Sequence, residues 1–449
     1  MRIAMSTAAA PVSLAHVPEV PFDPMVYSYT RFGKCFEPME YTNWVDECMS
    51  WKKTCFIGDW SPLFKLKIKG ADALRFLASI SVNSFAKFDI GRAKHIVMCN
   101  ADGKVMGEGV LMRQAEAEFL FTSGPGIPWM QFQFNRGRFD ATCELISSDQ
   151  FIFQVQGPNS LYLLEEAIGG SIRDIGFMRF RRAAVGDIEF DLLRQGMAGE
   201  VGYELHGRAD RGVALYNRLL EVGERWGVRR LGGRTKMVNH VEACFPTPTV
   251  DYIPALFTER ERDFLAMMQA SSPFFIKLLR TAGSYASADI ADYYRSPIEL
   301  GWARNIKFDH EFIGREALRK ELESPRRTMV TLVWNDEDVN DVSASLYRDA
   351  VPYEYMEMPR SLLGMMWTDK VLQDSQLVGA STSRCYSYHF RKMLSLCTID
   401  VPLSRPGTQV EVIWGPPTGP QKTIRATVAP APYKTDNRRF DVTSLPQYI

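Results

Sequence analysis

Arg194-Gln-Gly-Met-Ala-Gly-Glu-Val-Gly-Tyr-Glu-Leu-His206 is the segment whose reading decides the fold and the place to look for chemistry. Its glycines, Gly196, Gly199 and Gly202, permit positive φ and let a backbone approach a flat ligand closely. Tyr203-Glu204-Leu205 then has strand character, and the two-residue period sends Glu204 to one face and its neighbours to the other. A carboxylate on a strand just past a glycine-rich loop suits the paired N–H donors of a heterocycle such as a pterin. The same residues also describe a plain hairpin with one surface Glu, so the neighbouring segments must choose.

A chain of 449 residues is too long for one compact core, so two or three domains are expected. Apolar content of 46% and charged content of 24% are ordinary globular values. Lys+Arg and Asp+Glu both number 53, and the zero net charge argues against bulk attraction to nucleic acid or membrane. The cysteines at 35, 48, 55, 99, 143, 244, 385 and 397 form no CxxC pair and no zinc-like spacing, which suits reduced thiols in a cytosol. Residues 1–24 lack a continuous apolar core of a signal peptide, and no window reaches the ~18 apolar residues of a membrane helix. A cytoplasmic protein is expected. The histidines are dispersed, so no metal site is expected, and no phosphate loop, HExxH or GxSxG occurs.

Working outward, Phe151-Ile-Phe-Gln-Val-Gln156 reads as a buried strand running into Gly157-Pro158, with a helix to about Ile168. Strands near 183–194 lead into the opening segment, and 213–226 is an amphipathic helix. Upstream, 43–51 is helical. Phe64-Lys-Leu-Lys-Ile-Lys69 alternates as a half-buried strand should, and 71–79 is helical. Asn100-Ala-Asp-Gly103 joins a hairpin of 95–99 with 104–112. Strand 119–122, a turn at 124–128 and a helix over 129–137 follow. Residues 1–24, rich in proline, are expected to lie on a neighbouring surface or stay mobile. Residues 246–295 read as irregular apart from a helical piece at 259–268. A strand is expected over 299–308 and a helix from 312. Beyond 328, short strands at 329–334, 377–382, 392–400, 408–413 and 423–428 predict a separate small β-barrel or sandwich.

Gln156-Gly-Pro158, Gly199-Glu-x-Gly-x-Glu204 and Pro297-Ile-Glu-Leu-Gly-Trp302…Asp309…Phe312-Ile-Gly-Arg-Glu-Ala-Leu318 occur in one order, followed by Pro406-Gly-Thr408. Together they resemble the tetrahydrofolate-binding aminomethyltransferase (glycine-cleavage T-protein) family. The resemblance implies an α+β, three-domain fold with two intertwined α/β domains and a C-terminal small β-barrel, divided as 1–325 and 326–449. Departures also occur. The glycine-cleavage enzyme carries an acidic pair after its Asn-x-x-Gly turn, whereas this chain has Gly107-Glu108. The family's Arg-Leu-Glu-Ala-Gly reads His240-Val-Glu-Ala-Cys244 here.

Further runs resemble the branch of tetrahydrofolate-dependent aryl O-demethylases acting on vanillate and syringate. They are Gln195-Gly-Met-Ala-Gly199, Ile290-Ala-Asp-Tyr-Tyr294, Lys307-Phe-Asp-His310 and Tyr386-Ser-Tyr388 before Leu394-Ser-Leu-Cys-Thr-Ile-Asp400. The resemblance implies methyl transfer from a small methoxyaromatic to N5 of tetrahydrofolate, without a metal. Carried over residue by residue, Gln154, Gln156, Glu204 and Phe245 would bind the folate, and Tyr27, Tyr29 and Trp60 the aryl ring. An arginine expected at the substrate carboxylate aligns with Gly124, and a substrate-side tyrosine with Lys236. For a benzoate substrate, such as vanillate, syringate or a chlorinated o-anisate like dicamba, Lys236 or His240 would then supply the counter-charge. Lys236, His240 and Tyr29 are the candidate catalytic proton donors. Folate-dependent aminomethyl transfer, or demethylation of a sulfonium or amine, is the alternative. A non-catalytic folate-binding role in iron–sulfur assembly would carry a Lys-Gly-Cys-Tyr-x-Gly-Gln-Glu motif, which is not found.

Overall fold

The computed structural model describes residues 26–33, 35–272, 276–277, 279–361 and 366–447. The proline-rich 1–24 lies outside the described residues. One sheet has the order Phe180–Val185, Ile188–Leu193, Gly202–Arg208, Gln150–Gln156, Cys55–Asp59, Val228–Arg230. All its pairings are antiparallel except the last. Phe151, Phe153 and Val155 on its central strand, with Tyr203 and Leu205 beside them, pack on helices Ser160–Ile168 and Gly212–Gly223.

After Asp59 the chain leaves this sheet and builds a second one before returning at Gln150. The second sheet, fully antiparallel, has the order Arg92–Cys99, Val105–Ala115, Glu118–Ser123, Phe64–Lys69, Thr142–Leu145. Its hairpin reverses where Gly103 takes φ +74°, with Asn100 Oδ1 accepting from the Asp102 and Lys104 amides. This excursion interleaves the two α/β units, and both send strand ends into one space between them.

The strands Arg327–Trp334, Met366–Gln373, Gln376–Ser387, Lys392–Asp400, Gln409–Trp414 and Lys422–Ala429 close into a barrel, because Met366–Gln373 pairs with both Gln376–Ser387 and Gln409–Trp414. Closure leaves no unpaired edge. Past Ala429 the chain crosses back to the first sheet, where Lys434 Nζ donates to Ala198 O at 2.9 Å.

Three expectations are corrected. Residues 299–308 are not a strand: turn bonds from Gly301 N to Ile298 O and Trp302 N to Pro297 O, with Gly301 at φ +77°, coil them into a short 3-10 turn at Ala303–Asn305. The helix Gly126–Arg136 starts inside the expected 124–128 turn. Lys65, on the polar side of its alternating strand, is buried, and its Nζ donates to Ser61 O at 2.5 Å and Ser147 O at 3.3 Å. Elements that carried too little pattern to be expected include the strand Met366–Gln373, the helix Gly233–Ala243 and the helix Asp336–Ser345, capped by Asn335. Among the described residues no helix is long and apolar enough to cross a membrane.

Candidate active site

A cavity of ≈ 1410 Å³ opens between the two α/β units, and the C-terminal barrel contributes to its wall. An ordinary single-ligand pocket holds about 300–1,000 Å³, so this one has room for two ligands side by side.

Glu204 reaches it from the strand Gly202–Arg208, directly opposite Gln154 in the antiparallel register. Its side chain is buried, at 6% exposure, yet well supplied with donors. Gln154 Nε2 donates to Glu204 Oε1 at 2.6 Å, and Gln195 Nε2 donates to the same oxygen. His206 Nε2 lies 3.2 Å from Oε2. Behind them, Gln156 Nε2 donates to Gln154 Oε1 at 2.5 Å while its own Oε1 accepts from the Ala198 amide at 2.9 Å. The relay Ala198–Gln156–Gln154–Glu204 therefore orients one carboxylate, each bond polarising the next. Oε2 keeps acceptor capacity toward the cavity, which fits a ring with N–H donors.

The glycines of the opening segment have another purpose than the one expected. A Cβ at Gly202 would lie 2.4 Å from Gln156 Cγ, and one at Gly196 would lie 2.7 Å from Gln156 Oε1. Only Gly199 takes positive φ, +68°. Gly196 and Gly202 thus make room for the glutamine that steadies the site, rather than for a ligand.

The helix Gly233–Ala243 supplies Lys236 and, one turn later, His240. Lys236 is 5% exposed. Its ammonium donates to the Glu37 carboxylate and to Asp59 O at 2.6 Å, and sits 4.5 Å from the Trp60 ring and 4.7 Å from Phe32. Burial pushes the Glu37 carboxyl up, and Lys236 opposes that shift. His240 is held down to about 3, first by burial and then by the charges of Arg360 and Lys236. Its Nδ1 lies 3.3 Å from Thr247 Oγ1, and its Nε2 has no partner among the described residues. The expectation that Lys236 or His240 supplies a counter-charge is therefore corrected: Lys236 is already neutralised by Glu37, and His240 is uncharged.

Trp60, Gly124, Gln154, Glu204, Lys236, His240 and Phe245 all line the cavity. Gln156 stands one layer behind it. Tyr27 and Tyr29 do not line it. Tyr27 is 92% exposed, and Tyr29 packs with Val26 and Tyr41. On the strand Tyr29–Phe32 it is Thr30, Arg31 and Phe32 that face the cavity, so the aromatic alternation pointed to the wrong residues.

Four further cavity residues escaped sequence reasoning: Glu37, Arg360 and the pair His95–Glu108. His95 Nε2 lies 2.8 Å from Glu108 Oε2, with Trp302 edge-on at 5.1 Å. Glu108 had a signal, since it is the acid that remains after the hairpin turn. Position 107 could not hold another in this packing, because a Cβ there would sit 2.3 Å from Gly126 Cα. Among the described residues, no group of three or more His, Cys, Asp or Glu is placed to hold a metal ion.

Two interleaved α/β units, a closed barrel behind them and a carboxylate at their junction make up an aminomethyltransferase-like fold. Glycine cleavage system aminomethyltransferase T from Bartonella henselae shares it, with a TM-score of 0.68 over 92% of this chain and 96% of that one, at 16% identity. The chain belongs to the GCVT family: the model of the GCVT N-terminal domain matches residues 24–256. It is 34% identical over 430 residues to sesamin methylene transferase from Sinomonas sp., covering 92% of this chain and 94% of the relative. It is likewise 34% identical over 418 residues to syringate O-demethylase from Sphingobium sp., covering 88% and 89%.

Proposed function

We propose that this protein is a tetrahydrofolate-dependent aryl O-demethylase, moving the methyl of a methoxyaromatic to N5 of tetrahydrofolate and releasing the phenol. The observation that carries this reading is the buried Glu204, oriented by two glutamines on the wall of a cavity large enough for donor and acceptor together. The relatives named for syringate O-demethylation and sesamin methylene transfer support it.

Bound tetrahydrofolate would supply the nucleophilic nitrogen. Glu204 would hold the N–H edge of its pterin, and Phe245, with Arg438 4.8 Å from its ring, would offer it an apolar surface. Trp60 and Phe32 line the cavity and give an aryl ring an apolar wall. Fixing the methyl carbon in line between ether oxygen and N5 lowers a barrier by roughly 7–11 kcal/mol in well-oriented cases. The departing oxygen keeps the bonding pair, and the proton it gains balances the one lost from N5. Lys236 and His240 remain the donors nearest that task in the cavity wall, each as a hydrogen-bonding N–H. Tyr29 is not among them.

Incubation with a panel of methoxybenzoates, with and without tetrahydrofolate, tests the reading. Phenol and 5-methyltetrahydrofolate in equal amounts are expected. Formaldehyde with a need for O₂ would overturn it. Because one relative is named for methylene transfer, a 1,3-benzodioxole belongs in the panel; its turnover would place the one-carbon unit at the methylene level instead. Aminomethyl transfer is disfavoured by the packing of Gly107 against Gly126 where the glycine-cleavage enzyme carries its first acid.

A further inference from the structure

Lys236 and Arg360 both line this cavity, and the two cations differ in one respect. Lys236 is spent on Glu37. Arg360 has no carboxylate within 4 Å among the described residues, and its one hydrogen bond there runs from Nε to Ser361 O at 3.1 Å. Asp251 and Glu357 are near enough to act on its charge, but among the described residues their hydrogen bonds and ion pairs go to other groups. Asp251 Oδ1 accepts from Thr382 Oγ1 at 2.6 Å and Ser383 Oγ at 2.5 Å, and its Oδ2 accepts from the Thr247 amide at 2.7 Å. Glu357 Oε1 lies 3.5 Å from Arg234 Nη1. A guanidinium cannot shed its proton, and its planar fork matches a carboxylate in two bonds. A partly buried cation without a carboxylate bonded to it carries a desolvation cost, and a ligand that supplies one offsets that cost.

The position of Arg360 says which ligand this is. It follows Met358, whose carbonyl accepts from Arg234 Nη1 at 3.1 Å, and Pro359, whose carbonyl accepts from the Tyr386 amide. That strap of the barrel domain therefore lies over the helix bearing Lys236 and His240. Arg360 thereby joins Lys236 and His240 in lining the same cavity.

We propose that Arg360 binds a ligand carboxylate in this cavity, and that the ligand is the methoxyaromatic itself, so that the preferred donors are methoxybenzoates. This rests on the demethylase reading. The function lost from position 124, a glycine with open space around it, is on this account carried by a residue of the C-terminal barrel domain.

The test compares wild type with Arg360→Met and Arg360→Lys on a methoxybenzoate, on the same ether lacking the carboxylate, and on tetrahydrofolate with and without its glutamyl tail. Arg360→Met should raise KM for the benzoate tenfold or more. KM for the neutral ether and for folate should stay unchanged, and Arg360→Lys should recover part of the loss. If only the KM of glutamylated folate rises, the carboxylate is that of the folate tail and the aryl assignment is overturned. If the benzoate and the neutral ether weaken alike, or neither changes, Arg360 binds no carboxylate. Calorimetric titration of the benzoate into wild type and Arg360→Met reads the same contact without turnover. A wild type that binds the benzoate through Arg360 but demethylates nothing sinks the demethylase reading alone. The melting temperature of unliganded Arg360→Met should not fall, whereas a purely structural arginine would lower it.

Discussion

Gln154 and Glu204 face each other across two antiparallel strands, and Gln154 Nε2 donates to Glu204 Oε1 at 2.6 Å. This pairing puts a charge-assisted hydrogen bond at the cavity wall, and the second carboxylate oxygen, 3.2 Å from His206 Nε2, keeps a lone pair for a ligand. Removing the acid should therefore damage binding far more than folding.

Glu204→Ala should raise the folate KM by roughly 10- to 150-fold, corresponding to about 1.5–3 kcal/mol for hydrogen bonds to a charged group. Far-UV circular dichroism should match wild type. Folate kinetics like those of wild type would remove Glu204 from the site.

Gly202→Ala tests the relay from behind. The new methyl would meet Gln156 Cγ at 2.4 Å, and overpacking of this kind costs about 1–3 kcal/mol. Displacing Gln156 also releases Gln154, so the melting temperature should drop and the folate KM should rise together. Gly124→Ala, with nothing within 4 Å of its new Cβ, should leave stability within about 0.5 kcal/mol of wild type.

Lys236→Met strands the Glu37 carboxylate in a buried setting. Breaking one side of a buried pair costs about 3–5 kcal/mol. The double variant Glu37→Gln/Lys236→Met should regain most of that loss in urea denaturation, while aryl ether turnover stays low. Equal instability of single and double variants would mean that Lys236 stabilises through packing on Trp60 rather than through its charge.

His240 makes acid stability measurable. Its imidazole stays neutral in the folded chain down to about 3 but ionises near 6.5 when unfolded. Between those values the unfolded state binds more protons, so this contribution is full above 6.5 and is lost as pH falls. Relative to His240→Gln, wild type should lose about 1.4 kcal/mol per pH unit below 6.5. Glu47 and Asp369, both raised to about 7 by burial, act in the opposite sense, their contribution fading as pH rises through that value. They are common to both proteins and cancel in the comparison. A constant difference across pH 4–7 would show that folding does not shift the titration of His240.

Alternation and turn chemistry carried far along this chain. Glu204 opposes Tyr203 and Leu205 because a strand has a period of two, and the Asp102-Gly103 hairpin follows from a residue that accepts positive φ. Where local pattern met tertiary demand it misled. Lys65 is buried although it alternates with apolar residues, because flanking loops offer two carbonyls to its ammonium. Tyr27 and Tyr29 are aromatic and alternate, yet the hairpin turns Thr30, Arg31 and Phe32 toward the cavity.

By itself the sequence determined the family, the interleaved α/β units with their barrel, and the strand positions of Gln154, Gln156 and Glu204. Those are matters of motif order and two-residue period, which need no partner far along the chain. Only the tertiary structure decided which charges remain available. Lys236 meets Glu37 from 199 positions away, and Arg360 reaches the same cavity from the barrel domain with no ion-paired acid among the described residues. Electrostatic pairing depends on distance in space and on burial, neither of which the order of residues records.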